Sequence, residues 1–217
     1  MKPSTLILTT LASLTLLTFG ACGSASDAKS FEMSEAAKAD FATLPNLTGE
    51  HVWNVDTSKS SLTFSGKHNG DVFTGKISQF KAAVKLNPTD PKGAEIHAVM
   101  SLAGIDIGDD DRNANLPTED WFHISAFPTA RFSSTNIKKV QNETYAAQGM
   151  LTLKGVSKPI TLLFDLSFQD NDVIATGEAN LMRTDFNLGQ GSDFKDESWV
   201  SFPVVVNMTL YASPTTP

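Results

Sequence analysis

From His51 onward the apolar positions return every second residue. Leu62, Phe64, Gly66 and His68 share one phase, against Ser61, Thr63, Ser65 and Lys67 in the other. Phe80, Ala82, Val84 and Leu86 repeat the pattern, as do Ile96, Ala98, Met100 and Leu102. Tyr145, Ala147, Gly149, Leu151 and Leu153 follow, and Ile160, Leu162, Phe164, Leu166 and Phe168 alternate most cleanly. Val200, Phe202, Val204, Val206, Met208 and Leu210 end the series. A period of two marks half-buried antiparallel strands. Turn signals separate them at Asn69-Gly70, Asn87-Pro88, Pro91-Lys92-Gly93 and Gln169 to Asp172. Phe73, Gly75 and Ile77 are out of phase with Phe80 and Ala82, so a bulge or bend is expected between residues 77 and 80. Eight or nine long strands with a bend suit a sheet that closes into a barrel.

One stretch does not alternate. In residues 109–124, Thr118 is positioned to cap a short helix, with Glu119 and Asp120 favourable in its first turn. Trp121, Phe122 and Ile124 would then plug one end of the barrel.

The chain has 217 residues, 41% hydrophobic and 19% charged, which is too apolar for a disordered chain and enough for one large β domain. Seventeen basic residues against 24 acidic ones leave a net charge of −7, so the basic stripe of a nucleic-acid-binding protein is missing. The four histidines, at 51, 68, 97 and 123, form no close pair, and Asp106 to Asp111 lacks the spacing of a calcium loop. No nucleophile elbow, phosphate loop or dinucleotide fingerprint is present. No catalytic residue, metal or cofactor is therefore expected.

The N-terminus reads as an address. Residues 4–21 carry no charge and end in Phe19-Gly20-Ala21-Cys22. This resembles a bacterial lipobox, in which the cysteine becomes the acylated first mature residue; Phe19 departs from the usual aliphatic residue. The expectation is a lipoprotein signal peptide over 1–21, lipidation at Cys22, a tether over 22–50 and a barrel domain over 51–212. The other readings are a membrane span, weakened by its threonines and the lack of basic residues after it, and cleavage after Ala25 with Cys22 discarded. Within the tether, residues 30–44 are compatible with a short helix. Gly23 after the cysteine, in the Gram-negative sorting pattern, points to the outer membrane facing the periplasm, with a soluble periplasmic protein as the alternative.

Several residues in the buried phase are small: Gly66, Gly75, Ala82, Ala98, Ala147 and Gly149. Phe64, Phe80, Met100, Phe164, Phe168, Phe202 and Met208 would give the space they leave apolar walls. An eight-stranded barrel either fills its interior with side chains or holds one small ligand, and composition leaves the two readings level. Arg183 and Asp185 flank Thr184; on a strand they share a face, either as an end-of-barrel ion pair or as polar groups at a ligand mouth.

A series of blocks runs from Trp53-Asn54-Val55-Asp56-Thr57 through Ser61 to Phe64 and His68-Asn69-Gly70, then Gly75 and Phe80. Phe127 to Thr135 and the most specific block, Leu151-Thr152-Leu153-Lys154-Gly155-Val156-Ser157-Lys158-Pro159, come next. Arg183-Thr184-Asp185-Phe186 closes it. In this order the blocks resemble the YceI-like family of lipid- and polyisoprenoid-binding proteins. The family usually has Arg-Asp-x-His-Leu where this chain has Arg112-Asn113-Ala114-Asn115-Leu116, and a Gly where it has Asn187, which still tolerates a left-handed turn.

The resemblance implies an all-β fold, an eight-stranded antiparallel lipocalin-like β-barrel with one short inserted helix. It also implies an elongated apolar cavity for a long-chain lipid, such as a polyisoprenoid or an isoprenoid quinone-like molecule, sequestered or transported in the bacterial envelope. The expected cavity wall is Phe64, Phe80, Ala82, Ala98, Met100, Ala147, Gly149, Phe164 and Phe202, with Arg183 and Asp185 at the mouth. An enzyme acting on a cavity-bound lipid, or a partner-binding envelope protein with a filled core, are the rival readings. Partners beyond the lipid and the membrane are left open, a dimer included.

Overall fold

The computed structural model describes residues 34–215. The signal, Cys22 and the first part of the expected tether lie outside the described residues. Strands β1 (Val52–His68), β2 (Asp71–Ile77), β3 (Phe80–Lys85), β4 (Glu95–Ser101) and β5 (Ile105–Asp106) come first. After an inserted segment follow β6 (Thr129–Gln141), β7 (Thr144–Leu153), β8 (Val156–Gln169), β9 (Asp172–Met182) and β10 (Pro203–Pro214). All pairings are antiparallel, and β10 pairs with β1 to close the sheet. The closed ring runs β1, β3, β4, β6, β7, β8, β9, β10. Eight strands make the barrel, because β2 with β3 and β4 with β5 are two strands each broken once.

The break between β2 and β3 falls at Ser78 and Gln79. Ser78 donates its N–H to the Gly104 carbonyl at 3.0 Å, and Gln79 accepts from the Ser101 N–H at 2.9 Å. The break lets Phe73 and Ile77 on one side, and Phe80 and Ala82 on the other, all face the lumen despite opposite phase. A bulge in β1 does the same. Asp56 pairs with Tyr211 but Ser61 pairs with Thr209, so extra residues loop out. Ser60 holds the bulge, donating to the Asp56 carbonyl at 2.7 Å and accepting from the Tyr211 N–H at 3.0 Å. Trp53 and Val55 before the bulge, and Leu62 and Phe64 after it, therefore all point inward.

The turns follow their residues. Asn69-Gly70 has φ of 52° and 86° and joins β1 to β2, as a two-residue hairpin requires. Lys154-Gly155, at 49° and 72°, does the same between β7 and β8. Asn187 takes the left-handed conformation, φ 55° and ψ 36°, that its place after Asp185-Phe186 demands.

The inserted helix is real but earlier than Thr118. It is α2 (Asp110–Asn113), capped by the Asp109 carboxylate, which accepts from the Arg112 N–H at 2.9 Å. Thr118 caps nothing, because residues 119–122 form turns instead of a helix; its hydroxyl donates back to the Asn115 carbonyl at 2.7 Å. Phe122 and Ile124 are buried and Trp121 half-buried, so this segment does cover one barrel end. Within the stretch read as a tether, α1 (Glu35–Ala42) forms with Ser34 as its cap. It lies on the outer wall, where the Asp40 carboxylate accepts from the Thr129 hydroxyl and, at 2.8 Å, from Arg131.

Candidate functional site

The end covered by the insertion is closed by a second loop, residues 187–202, and Arg183 organises it. Its side chain is 3% exposed. The guanidinium donates to six main-chain carbonyls: Leu188 at 2.8 Å, Gly189 at 3.2 Å, Phe194 at 2.7 Å, Asp196 at 3.4 Å, Val200 at 3.0 Å and Ser201 at 3.1 Å. Phe202 and Trp121 place their rings 5.0 and 5.8 Å from it. Burial pulls its pKa below the ordinary value, and the Glu197 carboxylate opposes that shift. Lys154 joins the two covers, donating to the Asn187 carbonyl at 2.6 Å and the Asp120 carbonyl at 3.4 Å; burial lowers its pKa, against the pull of Asp120 and Glu119. The Gly189 N–H adds a bond to the Asp120 carbonyl at 2.7 Å, and Trp121 meets Phe194 edge-on at 5.0 Å.

Beneath these covers the barrel encloses a cavity of about 360 Å³, within the usual range of small-molecule sites. Phe64, Phe80, Ala82, Ala98 and Met100 line it, as expected from their phase. Its wall is aliphatic and aromatic apart from four polar side chains: His68, Arg112, Asn115 and Arg183. Among the described residues, no carboxylate, hydroxyl or thiol reaches it. His68, Phe73 and Arg112 are half-exposed and Asn115 exposed, so solvent meets the cavity between the β1–β2 hairpin and α2. Arg112 is steadied there by the Asp109 carboxylate at 3.2 Å and lies 5.9 Å from the Phe73 ring. Asn113 accepts from the Ile107 N–H at 2.9 Å and donates to Asp106 at 2.7 Å, so an amide suits a place where a carboxylate would face a carboxylate. Bonds from the Gly108 N–H and from Asn113 hold the Asp106 carboxyl below its ordinary pKa.

Other expected wall residues are placed differently. Phe164 lines a separate, smaller cavity deeper in the barrel. Ala147 is fully buried in the core and lines neither. Gly149 faces inward, but the Phe132 ring covers it; an added Cβ would meet that ring at 2.6 Å. Gly66 and Gly75 are covered likewise by Phe73 and Phe64. The inward glycines thus seat cross-strand rings instead of leaving space, while the alanines at 82 and 98 do leave it. Phe202 precedes β10 and packs on Arg183 instead of the lumen. Phe168 overhangs the far barrel end at 46% exposure. Arg183 and Asp185 do not share a face, because residues 183–186 form a 3-10 turn: Arg183 points in and Asp185 out. Arg112, His68 and Asn115 were not expected as the polar groups of the mouth; the family block at residues 112–116 signals the first and last, and His68 is signalled by its shared phase with Leu62 and Phe64 and by the block His68-Asn69-Gly70.

Among the described residues, no group of three His, Cys, Asp or Glu side chains converges as metal ligands. The contact of Ser133 with His97 at 3.1 Å, and of His97 with Glu95 at 3.4 Å, lies on the outer wall and outside the lumen.

A family model described as the YceI-like domain matches residues 53–212. A UPF0312 protein of Yersinia enterocolitica is 30% identical over 127 residues, 58% of this chain and 66% of that one. A UPF0312 protein of Yersinia pestis is 28% identical over 143 residues, 65% of this chain and 69% of that one. The match thus spans about two thirds of these relatives. The crystal structure of Burkholderia cenocepacia BcnA superposes with a TM-score of 0.71 at 28% identity, covering 74% of this chain and 100% of that one. A polyisoprenoid binding domain from Saccharophagus degradans, implicated in plant cell wall breakdown, shares the fold with a TM-score of 0.60 at 14% identity, over 77% of this chain and 100% of that one.

Proposed function

We propose that this chain, which belongs to the YceI-like family, holds a lipid with one long apolar tail in its lumen, a polyisoprenoid or an isoprenoid quinone-like molecule, for sequestration or transport in the bacterial envelope. The observation that carries the reading is the apolar cavity whose polar side chains gather at its solvent-facing end. A tail fits the wall, and an oxygen-bearing headgroup fits His68, Arg112 and Asn115. The Saccharophagus degradans domain, named for polyisoprenoid binding, supports the ligand class. A binding protein fits better than an enzyme, because among the described residues the cavity lining carries no carboxylate, hydroxyl or thiol to work with His68.

Energetics favour a carrier. Burying a methylene from water is worth about 0.8 kcal/mol, but a membrane lipid starts in a bilayer as apolar as the lumen. The net gain on transfer is small, so the ligand exchanges instead of being trapped. Acylation of Cys22 would keep the barrel beside its lipid source in the outer membrane, facing the periplasm. Mass spectrometry of an organic extract of the protein, purified from a bacterial envelope, tests the reading. A bound prenyl lipid is expected. A protein that is lipid-free and also ignores added prenyl lipids defeats it.

A further inference from the structure

The lumen has two chambers. Ile96, Leu162, Met208 and Leu210 line the main cavity and also the second one, of about 50 Å³. They come from β4, β8 and β10, which lie apart around the barrel, so together they form a collar across it. On the mouth side the wall carries Ala82, Ala98 and Ala130. Beyond the collar stand Trp53, Phe164 and Leu166.

The far chamber has a fixed floor. Tyr145 stacks on Phe164 with centroids 5.3 Å apart, and its hydroxyl donates to the Pro88 carbonyl at 2.7 Å. The Trp53 indole N–H donates to the Leu86 carbonyl at 2.9 Å. Moving either ring breaks a partly buried hydrogen bond. The collar is softer. Met208 is unbranched and has three rotatable bonds, and it lines both chambers.

We propose that the collar is a tail-length gauge that selects, among single-tailed amphiphiles, those whose tail ends at Ile96, Leu162, Met208 and Leu210. The proposal rests on the carrier reading above and specifies its ligand. Each added unit of tail gains burial until the tip reaches the collar. The next unit must push Met208 aside and finds little space before the floor.

The experiment titrates the full chain with prenyl alcohols of graded length, from geraniol through farnesol and geranylgeraniol to longer members, presented from cyclodextrin. Affinity, referred to free alcohol in water through the measured cyclodextrin association constants, is expected to climb at least about tenfold per isoprene unit and then stop, the scale being about fourfold per methylene buried from water. Met208→Ala moves the stop to a longer alcohol and Met208→Phe to a shorter one. Leu162→Ala repeats the first shift should either Met208 variant misfold. A climb without a stop, or a stop unmoved in folded variants, overturns the gauge and leaves the carrier standing. No binding by any member overturns both.

Discussion

The ring of Phe64 lies where a side chain on Gly75 would stand, the two residues being direct partners on β1 and β2. The Ile107 side chain closes the same spot, 2.9 Å from the place of a Cβ. Phe64 in turn meets Phe73 edge-on at 6.2 Å, and Phe73 covers Gly66 on the neighbouring register. These paired coverings make one face of the lumen wall. Gly75→Ala should therefore destabilise the barrel by about 1–3 kcal/mol, the usual cost of overpacking. Adding Phe64→Leu should recover part of that loss, since the two sites couple directly. Urea unfolding of the single and double variants measures both.

Ala82 and Ala98 face each other across β3 and β4 and both line the cavity. Ala98→Phe should fill the lumen and weaken prenyl-lipid binding on the order of tenfold or more, a loss of at least about 1.4 kcal/mol. Circular dichroism should still report the barrel. Ala147→Phe is a different experiment: that residue sits in packed core, so the variant should lose stability before it loses ligand.

Arg183→Met keeps the bulk of the side chain and removes every bond to the loop carbonyls. The cost is expected to be at least about 3 kcal/mol, because several buried acceptors lose their partner together. Arg183→Lys keeps the charge without the planar fork and should fall between. Hydrogen exchange in residues 187–202 should speed up in both variants, more in Arg183→Met.

The Asp40 carboxyl sits below its ordinary pKa, first through the Thr129 hydroxyl and then through Arg131, with partial burial working against them. A depressed folded-state value means the contribution is complete above the unfolded pKa of about 3.9 and fades as pH falls through the folded one. Protection of the α1 amides, measured against the intrinsic exchange rate at each pH, should therefore be high at neutral pH and fall in acid below that range. Asp40→Asn should show the lowered protection already at neutral pH, with little change in the barrel strands.

Much of this fold is legible in the residue order. The alternation of residues 160–168 and 200–210 marks β8 and β10, and the phase clash between Ile77 and Phe80 marks the break at Ser78 and Gln79. Asn187, standing where the family has a Gly, adopts the left-handed turn that it was expected to tolerate. The cavity is less legible, because a small inward residue means space only if no distant ring leans over it. Gly149 and Ala98 look alike in the sequence, yet Phe132 covers the first and nothing fills the lumen beside the second. Arg183 hides for another reason. Its partners are main-chain carbonyls, and carbonyls leave no signature in the amino-acid order.

The pairing of β1 with β10 fixes when the molecule can finish folding. The first strand made must wait for the last, so two open sheet edges persist until the C-terminal residues arrive. Such distant pairing makes assembly slow and leaves the unfinished sheet prone to sticking to other chains. A barrel that seals by its own ends has its period of greatest danger before it is born whole, and a holding chaperone would matter most in that interval.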